Sequence, residues 1–239
     1  DQSPVLKFLA QSIPPHTELL AGTMGQQGEG VRREMLNMLV AINSRGHIIS
    51  QYHKATLVPF GEFLPFRSLL PAAWLKPIGM VDFSAGPGPQ SVSVEKIGLV
   101  SPLICYEAIF PGHVVDSKQY PSLLLNVTND AWFGMSTGPY QHFHMARLRA
   151  VEQGIPMVRV ANTGISAMID GFGRIRQQLA LGEAGILDVP LPAPLPGMTI
   201  YARFVAIEYG VMVITAVGLL LTCWYRRKQN INTIRLRVV

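Results

Sequence analysis

Residues 209 to 225 read YGVMVITAVGLLLTCWY, a run without a charge, and Arg226, Arg227 and Lys228 follow at once. Adding residues 204 to 208 lengthens the stretch to about 22 positions, or about 33 Å of helix at about 1.5 Å per residue, against a hydrocarbon core of about 30 Å. Trp224 and Tyr225 stand at one end and Tyr201 and Tyr209 near the other, where interfacial aromatics gather. The stretch predicts a transmembrane helix over 204–225 rather than a buried core helix, which has no reason to end on an abrupt basic stop. The positive-inside bias predicts a cytoplasmic tail at 226–239 and places residues 1 to about 203 on the opposite side of the membrane. Cys223 falls inside this span, so a disulfide to Cys105 is not expected.

Charge sharpens this division. The chain of 239 residues holds 20 Lys+Arg against 15 Asp+Glu. Five of the positives (Arg226, Arg227, Lys228, Arg235, Arg237) lie in the tail, so the remainder balances and offers no basic stripe for nucleic acid. Only 15% of residues are charged and the mean hydropathy is +0.26, too apolar for a disordered chain. The two cysteines form no CxxC pair, and neither a metal site nor a cofactor is expected. The opening DQSPVLKFLAQSIPP has no charged segment leading into an apolar run. An exported domain without an export signal is expected to lack part of its N-terminal region.

Apolar patterning predicts strands at 19–24 and 35–43, a hairpin return at 47–54, a strand over 96–107 that runs into a turn, and a buried strand at 122–130. A helix is predicted over 141–154, ending at Gly154, then strands at 157–162, 165–170 and 174–180. The Pro-rich 189–197 is a linker. Strands mixed with helices predict a layered α/β or α+β sandwich domain over residues 1–200, followed by the span and the tail.

Three places carry residues suited to chemistry. Cys105 ends the apolar strand GLVSPLIC, a position that exposes a nucleophile while holding its backbone, although a lone cysteine there also suits a small core site. Tyr106 and Glu107 follow, and a carboxylate two residues from the strand is costly to bury without a partner. Lys54, in YHKATLVPFGEF with Glu62 eight residues on, reads either as a solvated charge or as a cation that lowers a thiol pKa and stabilises an oxyanion. In TNDAWFG, Asn129 and Asp130 suit a turn, and Trp132 and Phe133 suit an apolar pocket. His142 and His144 are two apart and fall on different faces of a helix, unsuited to one metal.

Together, KATLVPFGEFLPF, the CYE after an apolar strand, and NDAWFG followed by GPYQHFHMARLRAVE resemble the nitrilase-type domain of the apolipoprotein N-acyltransferase family, within the carbon-nitrogen hydrolase superfamily. The resemblance runs from about residue 20 to the basic tail. It implies a nitrilase-like α-β-β-α sandwich on the outer face of the bacterial inner membrane, followed by a C-terminal transmembrane helix. It also implies a Glu-Lys-Cys mechanism: Cys105 as nucleophile, Lys54 as the cation at the oxyanion, Glu62 and Glu107 as supporting carboxylates, the Tyr106 N–H near the oxyanion, and Asn129 and Trp132 at the substrate pocket. The family's general base, a glutamate in a WPE-like segment upstream of the lysine, has no counterpart in residues 1 to 53, where Glu18, Glu29 and Glu34 lack that context. The chain thus resembles a C-terminal portion cut after its base.

The implied reaction carries an acyl chain from a phospholipid to the cysteine as a thioester, then to the amine of a lipoprotein's diacylglyceryl cysteine. Phospholipid, diacylglyceryl apolipoprotein and the membrane are the expected partners. FRSLLPAAWLKPIGMVDF (66–83), with Trp74 and Leu75 among prolines, reads either as a lid entering the interface or as a packed excursion. Two other functions fit parts of the pattern: a membrane-tethered amidase acting on a small amide, and an inactive truncated homologue.

Overall fold

The computed structural model describes residues 4–28, 34–66 and 82–235, without the side chains of 205–209 and 229–235. The lid expected at 66–83 lies, apart from its ends, outside the described residues. The chain divides into two units, Asp1–Gly197 and Met198–Val239.

In the first unit, helix α1 (Pro4–Ser12) precedes strands β1 (Glu18–Gln27), β2 (Glu34–Asn43) and β3 (Ile48–His53), an antiparallel sheet in the order β1-β2-β3. A second sheet runs β4 (Val92–Val94), β5 (Gly98–Ile104), β6 (Leu123–Asn129), β7 (Met157–Asn162), β8 (Ser166–Ile169) and β9 (Ile175–Leu179) in sequence order. Helix α2 (Gly138–Gln153) joins β6 to β7. Strands β5, β6 and β7 are parallel and the outer strands antiparallel.

Period-two patterning decides the layers, because successive strand side chains face opposite ways. On β2, Leu36, Met38, Val40 and Ile42 pack with Leu6, Leu9 and Ile13 around α1. Leu39 turns the other way, joining Tyr52, Val92, Val94, Val100, Ile104, Leu123 and Leu125 in a core between the sheets. Leu103 and Leu124 face outward, where Phe143, Ala146 and Ala150 of α2 cover them. The order is helix, sheet, sheet, helix, which agrees with the expected α-β-β-α sandwich.

The strands and the helix anticipated from patterning form within a few residues of the expected bounds, and Gly154 caps α2 with a φ of 67°. Two elements were not anticipated. The first is α1, which packs Leu6 and Leu9 while Val5 and Phe8 stay exposed; the second is the three-residue β4.

The second unit contains α3, Ile200–Arg235, which includes the helix expected at 204–225. Among the described residues no helix is long and apolar enough to cross a membrane.

Candidate functional site

The parallel arrangement of β5, β6 and β7 brings three strand ends to one edge of the sheet, the usual place for ligands in such sheets. Cys105 follows Ile104 at the end of β5, and Asp130 follows Asn129 at the end of β6. Each opens a short 3₁₀ turn. Cys105 has a φ of 52°, a left-handed conformation that a side-chain-bearing residue adopts at a cost of about 1–2 kcal/mol. The strain points the residue out of the strand at a pocket of about 440 Å³.

That pocket is lined by Lys54, Glu62, Cys105, Tyr106, Trp132, Phe133, His142 and Met145, with Val58, Ile109 and Gln141 among its further walls. It brings six residues that the sequence marked for chemistry or a pocket (Lys54, Glu62, Cys105, Tyr106, Trp132 and Phe133) into one cavity. Trp132 is 83% exposed at its rim.

Lys54 is not a solvated charge. It is 1% exposed, and its Nζ lies 2.8 and 2.7 Å from the two oxygens of Glu62. Glu62 also accepts from Asn37 Nδ2 at 2.9 Å and from the Val58 N–H at 2.8 Å. Both of its oxygens are thus engaged, and it holds the ammonium in a fixed direction.

Glu107 lines no part of the pocket. Its Oε1 accepts from Tyr52 Oη at 2.7 Å and from the N–H groups of Ala55 and Thr56 at 2.8 and 3.1 Å, and its Oε2 from the Ile104 N–H at 2.7 Å. It therefore ties the segment after Lys54 to the residue before Cys105. Burial pushes the Glu107 carboxyl above its ordinary range, and the four donors oppose this without cancelling it. Burial also drives the Tyr52 hydroxyl strongly upward, reinforced by the Glu107 charge.

Behind Cys105 lies a cluster that patterning along the chain did not assemble. Asp130 is buried: its Oδ1 meets His142 Nδ1 at 2.8 Å and Thr128 Oγ1 at 3.0 Å, and its Oδ2 accepts from Arg159 Nη2 at 2.7 Å. Arg159, 1% exposed, also donates to Asn126 Oδ1 and to the Ile165 carbonyl. The register places Asn126 opposite Arg159 on neighbouring strands. His142 Nε2 lies 3.1 Å from the Cys105 carbonyl oxygen. Burial raises the Asp130 carboxyl, but the His142 hydrogen bond and the Arg159 charge outweigh it and hold the group below its usual range. Burial lowers the Arg159 guanidinium, opposed by the charges of Asp130 and of a Cys105 thiolate. Gly164 is required beside this cluster, since a Cβ there would collide with the Asp130 carboxylate.

Two sequence expectations change here. Asn129 is exposed and outside the pocket; it caps the 3₁₀ turn by accepting from the Ala131 N–H at 3.2 Å, and it accepts from Asn162 Nδ2 at 3.3 Å. Strand alternation turns it away while its neighbour Asp130, read as a turn former, points inward. The available signal was Arg159, a charge inside the apolar strand MVRVAN, which demands a buried partner. Among the described residues no group of three or more His, Cys, Asp or Glu is placed to hold a metal ion.

Residues 2–196 match the carbon-nitrogen hydrolase family. An apolipoprotein N-acyltransferase of Rhodopseudomonas palustris is 43% identical over 219 residues, covering 89% of this chain and 40% of the relative. Another, of Rickettsia typhi, is 41% identical over 187 residues, covering 78% of this chain and 37% of the relative. The chain thus spans about 40% of the length of these curated relatives. Among solved structures, a carbon-nitrogen hydrolase of Helicobacter pylori superposes with a TM-score of 0.54 at 13% identity, covering 77% of this chain and 69% of that one. Saccharomyces cerevisiae Nit3, of the nitrilase superfamily, gives 0.54 at 18% identity, covering 76% and 63%. These two likenesses speak for the fold.

Proposed function

The chain belongs to the carbon-nitrogen hydrolase family, and from that premise we propose that it performs the acyl-transfer chemistry of an apolipoprotein N-acyltransferase, with Cys105 as nucleophile. The observation that carries this reading is the apolar pocket holding a strained cysteine beside a buried, carboxylate-held lysine. In the first half-reaction Cys105 Sγ attacks a phospholipid ester carbonyl, a thioester forms, and the lysophospholipid leaves with the thiol proton. In the second, the α-amine of a diacylglyceryl cysteine attacks the thioester, an amide forms, and the amine's proton balances the departing thiolate. A thiolate suits both halves, being nucleophilic near neutral pH and a good leaving group. Lys54 and the Tyr106 N–H stabilise the oxyanion of each tetrahedral intermediate. Glu62, with both oxygens engaged, holds Lys54 rather than accepting the thiol proton. The base that the family resemblance puts upstream of the lysine has no counterpart in residues 1–53.

Exposed apolar side chains favour a lipid substrate over a small amide. Trp132, Phe133 and Met145 line the pocket and are exposed, as are Met135 and, next to the pocket-lining Gly61, Phe60. Exposed apolar side chains around a pocket fit an interface with membrane. We assign the stretch 204–225 of α3 to a membrane span, which puts the first unit on the outer face of a bacterial inner membrane and the basic tail in the cytoplasm. Val211, Met212, Val213 and Ile214 are consecutive and all exposed, so the helix is apolar all round, as a lipid-facing helix is.

Intact-mass spectrometry tests the assignment on the chain, its Cys105→Ala variant, and a fusion that sets the upstream part of the R. palustris relative before residue 1. With phospholipid vesicles supplied, a fatty-acyl adduct is expected on the fusion and absent from the fusion carrying Cys105→Ala. No adduct on any version, together with turnover of a small amide, would replace this reading with the amidase one. Trp132→Ser is expected to raise KM for vesicle phospholipid by about tenfold, for loss of about 1.5 kcal/mol of apolar contact. Its melting temperature should stay put, since the residue is 83% exposed; an unchanged KM would remove Trp132 from the lipid path.

A further inference from the structure

The reading of Cys105 as nucleophile leaves unexplained why a buried charged cluster stands behind its backbone. The hydrogen-bond partners of His142 decide which way its ring is aimed. Nε2 faces the Cys105 carbonyl, which can only accept. Nδ1 faces an oxygen of Asp130 whose carboxylate also receives Arg159 and Thr128. Nε2 therefore donates to the carbonyl, and the Asp130 contact at Nδ1 fixes the plane and direction of the ring. Arg159 Nη2 lies 3.2 Å from Nδ1 and 2.7 Å from Asp130 Oδ2, so the guanidinium braces both the ring and the carboxylate.

Resting on the assignment of Cys105 as nucleophile, we propose that His142 is a positioning residue for it: its ring, aimed by the buried Asp130–Arg159 pair, clamps the Cys105 carbonyl and holds the left-handed turn. The clamp acts where the backbone is strained. Cys105 at a φ of 52° would relax toward an extended or helical conformation if its carbonyl were released. The Ile104 N–H, bonded to Glu107, secures the turn on its other side.

Two variants test the clamp. In His142→Gln the amide nitrogen takes the place of Nε2 and keeps the clamp. His142→Asn keeps a donor near Asp130 but cannot reach the Cys105 carbonyl. The readout is the rate of Cys105 alkylation by iodoacetamide from pH 5 to 10, followed by peptide mass spectrometry, with the urea-unfolded chain as reference. For His142→Gln the expected result is a high-pH plateau close to that of the unsubstituted chain. For His142→Asn the plateau should fall on the order of tenfold. An unchanged plateau in His142→Asn, or an equal fall in both variants, overturns the proposal. So does a rise of the His142→Asn rate to that of the unfolded chain, which would mean the ring holds up the fold rather than the turn. Alkylation needs no lipid, so an absent acyl adduct with intact alkylation differences would sink the acyltransferase reading and leave this one standing.

Discussion

Replacing Lys54 by Met is expected to slow acylation of Cys105 by on the order of 10²–10³, the usual loss when one pre-aimed donor to a developing oxyanion is removed. The size of the effect follows from the ammonium's surroundings. At 1% exposure Lys54 has little water to reorganise, and Glu62 fixes its direction through both carboxylate oxygens. Lys54→Met also leaves Glu62 without its cation, and stability should fall by about 3 kcal/mol. The double variant Lys54→Met/Glu62→Gln recovers most of that stability, because the unpaired charge is gone, yet it remains as slow as the single variant. Recovery of acylation in the double variant would show that the lysine matters to the fold and not to the oxyanion. Lys54→Arg is not a rescue, since a planar fork reaches different points from an ammonium. The measurements are the rate of adduct formation by intact mass and thermal unfolding of each variant.

The second large effect is on stability. Arg159→Met should destabilise the first unit by about 3–5 kcal/mol, lowering its melting temperature by on the order of 10 °C. It removes the cation from Asp130, both of whose side chains are fully buried in the native fold. The pH dependence of this loss has a definite sign. Asp130 is held below its ordinary range in the folded chain, so it contributes stability above the unfolded carboxylate value, about 3.9. That contribution disappears as pH falls through the folded value. Without Arg159, burial pushes the Asp130 carboxyl upward, and acid sensitivity should begin nearer neutral pH. Melting curves between pH 4 and 8 decide the matter, and a constant difference between Arg159→Met and the unsubstituted chain across that range would remove Asp130 as its origin.

Much of the architecture was legible in order of elements. The strands β2, β5 and β6 are long enough for alternation to show, and Gly154 ends α2 where its periodicity stops. The location of Cys105 at the end of an apolar strand followed from the same reasoning. The three-residue β4 gives too little alternation to detect; its Val92 and Val94 count only because the facing sheet supplies Leu39 and Tyr52. Helix α1 is short enough that its few apolar residues gain meaning only against the outer face of β2.

The candidate site divides along the same line. Lys54 with Glu62, and Cys105 with Tyr106 and Glu107, are short-range groupings, and residue type with spacing already marked them as chemically capable. The sequence by itself therefore determined the alternation that makes two sheets, the strand end that presents Cys105, and the charge-free stretch before the basic tail. Only the tertiary structure decided that Lys54 is buried, that Glu107 ties two loops rather than lining the pocket, that Asp130 and not Asn129 turns inward, and that His142 meets Cys105. The physical reason is that burial and hydrogen-bond geometry belong to pairs of elements. Asn126, Asp130, His142 and Arg159 come from two strands, a turn and a helix, and their charges are tolerable in the interior only because parallel pairing of β6 with β7 and packing of α2 bring them within bonding distance.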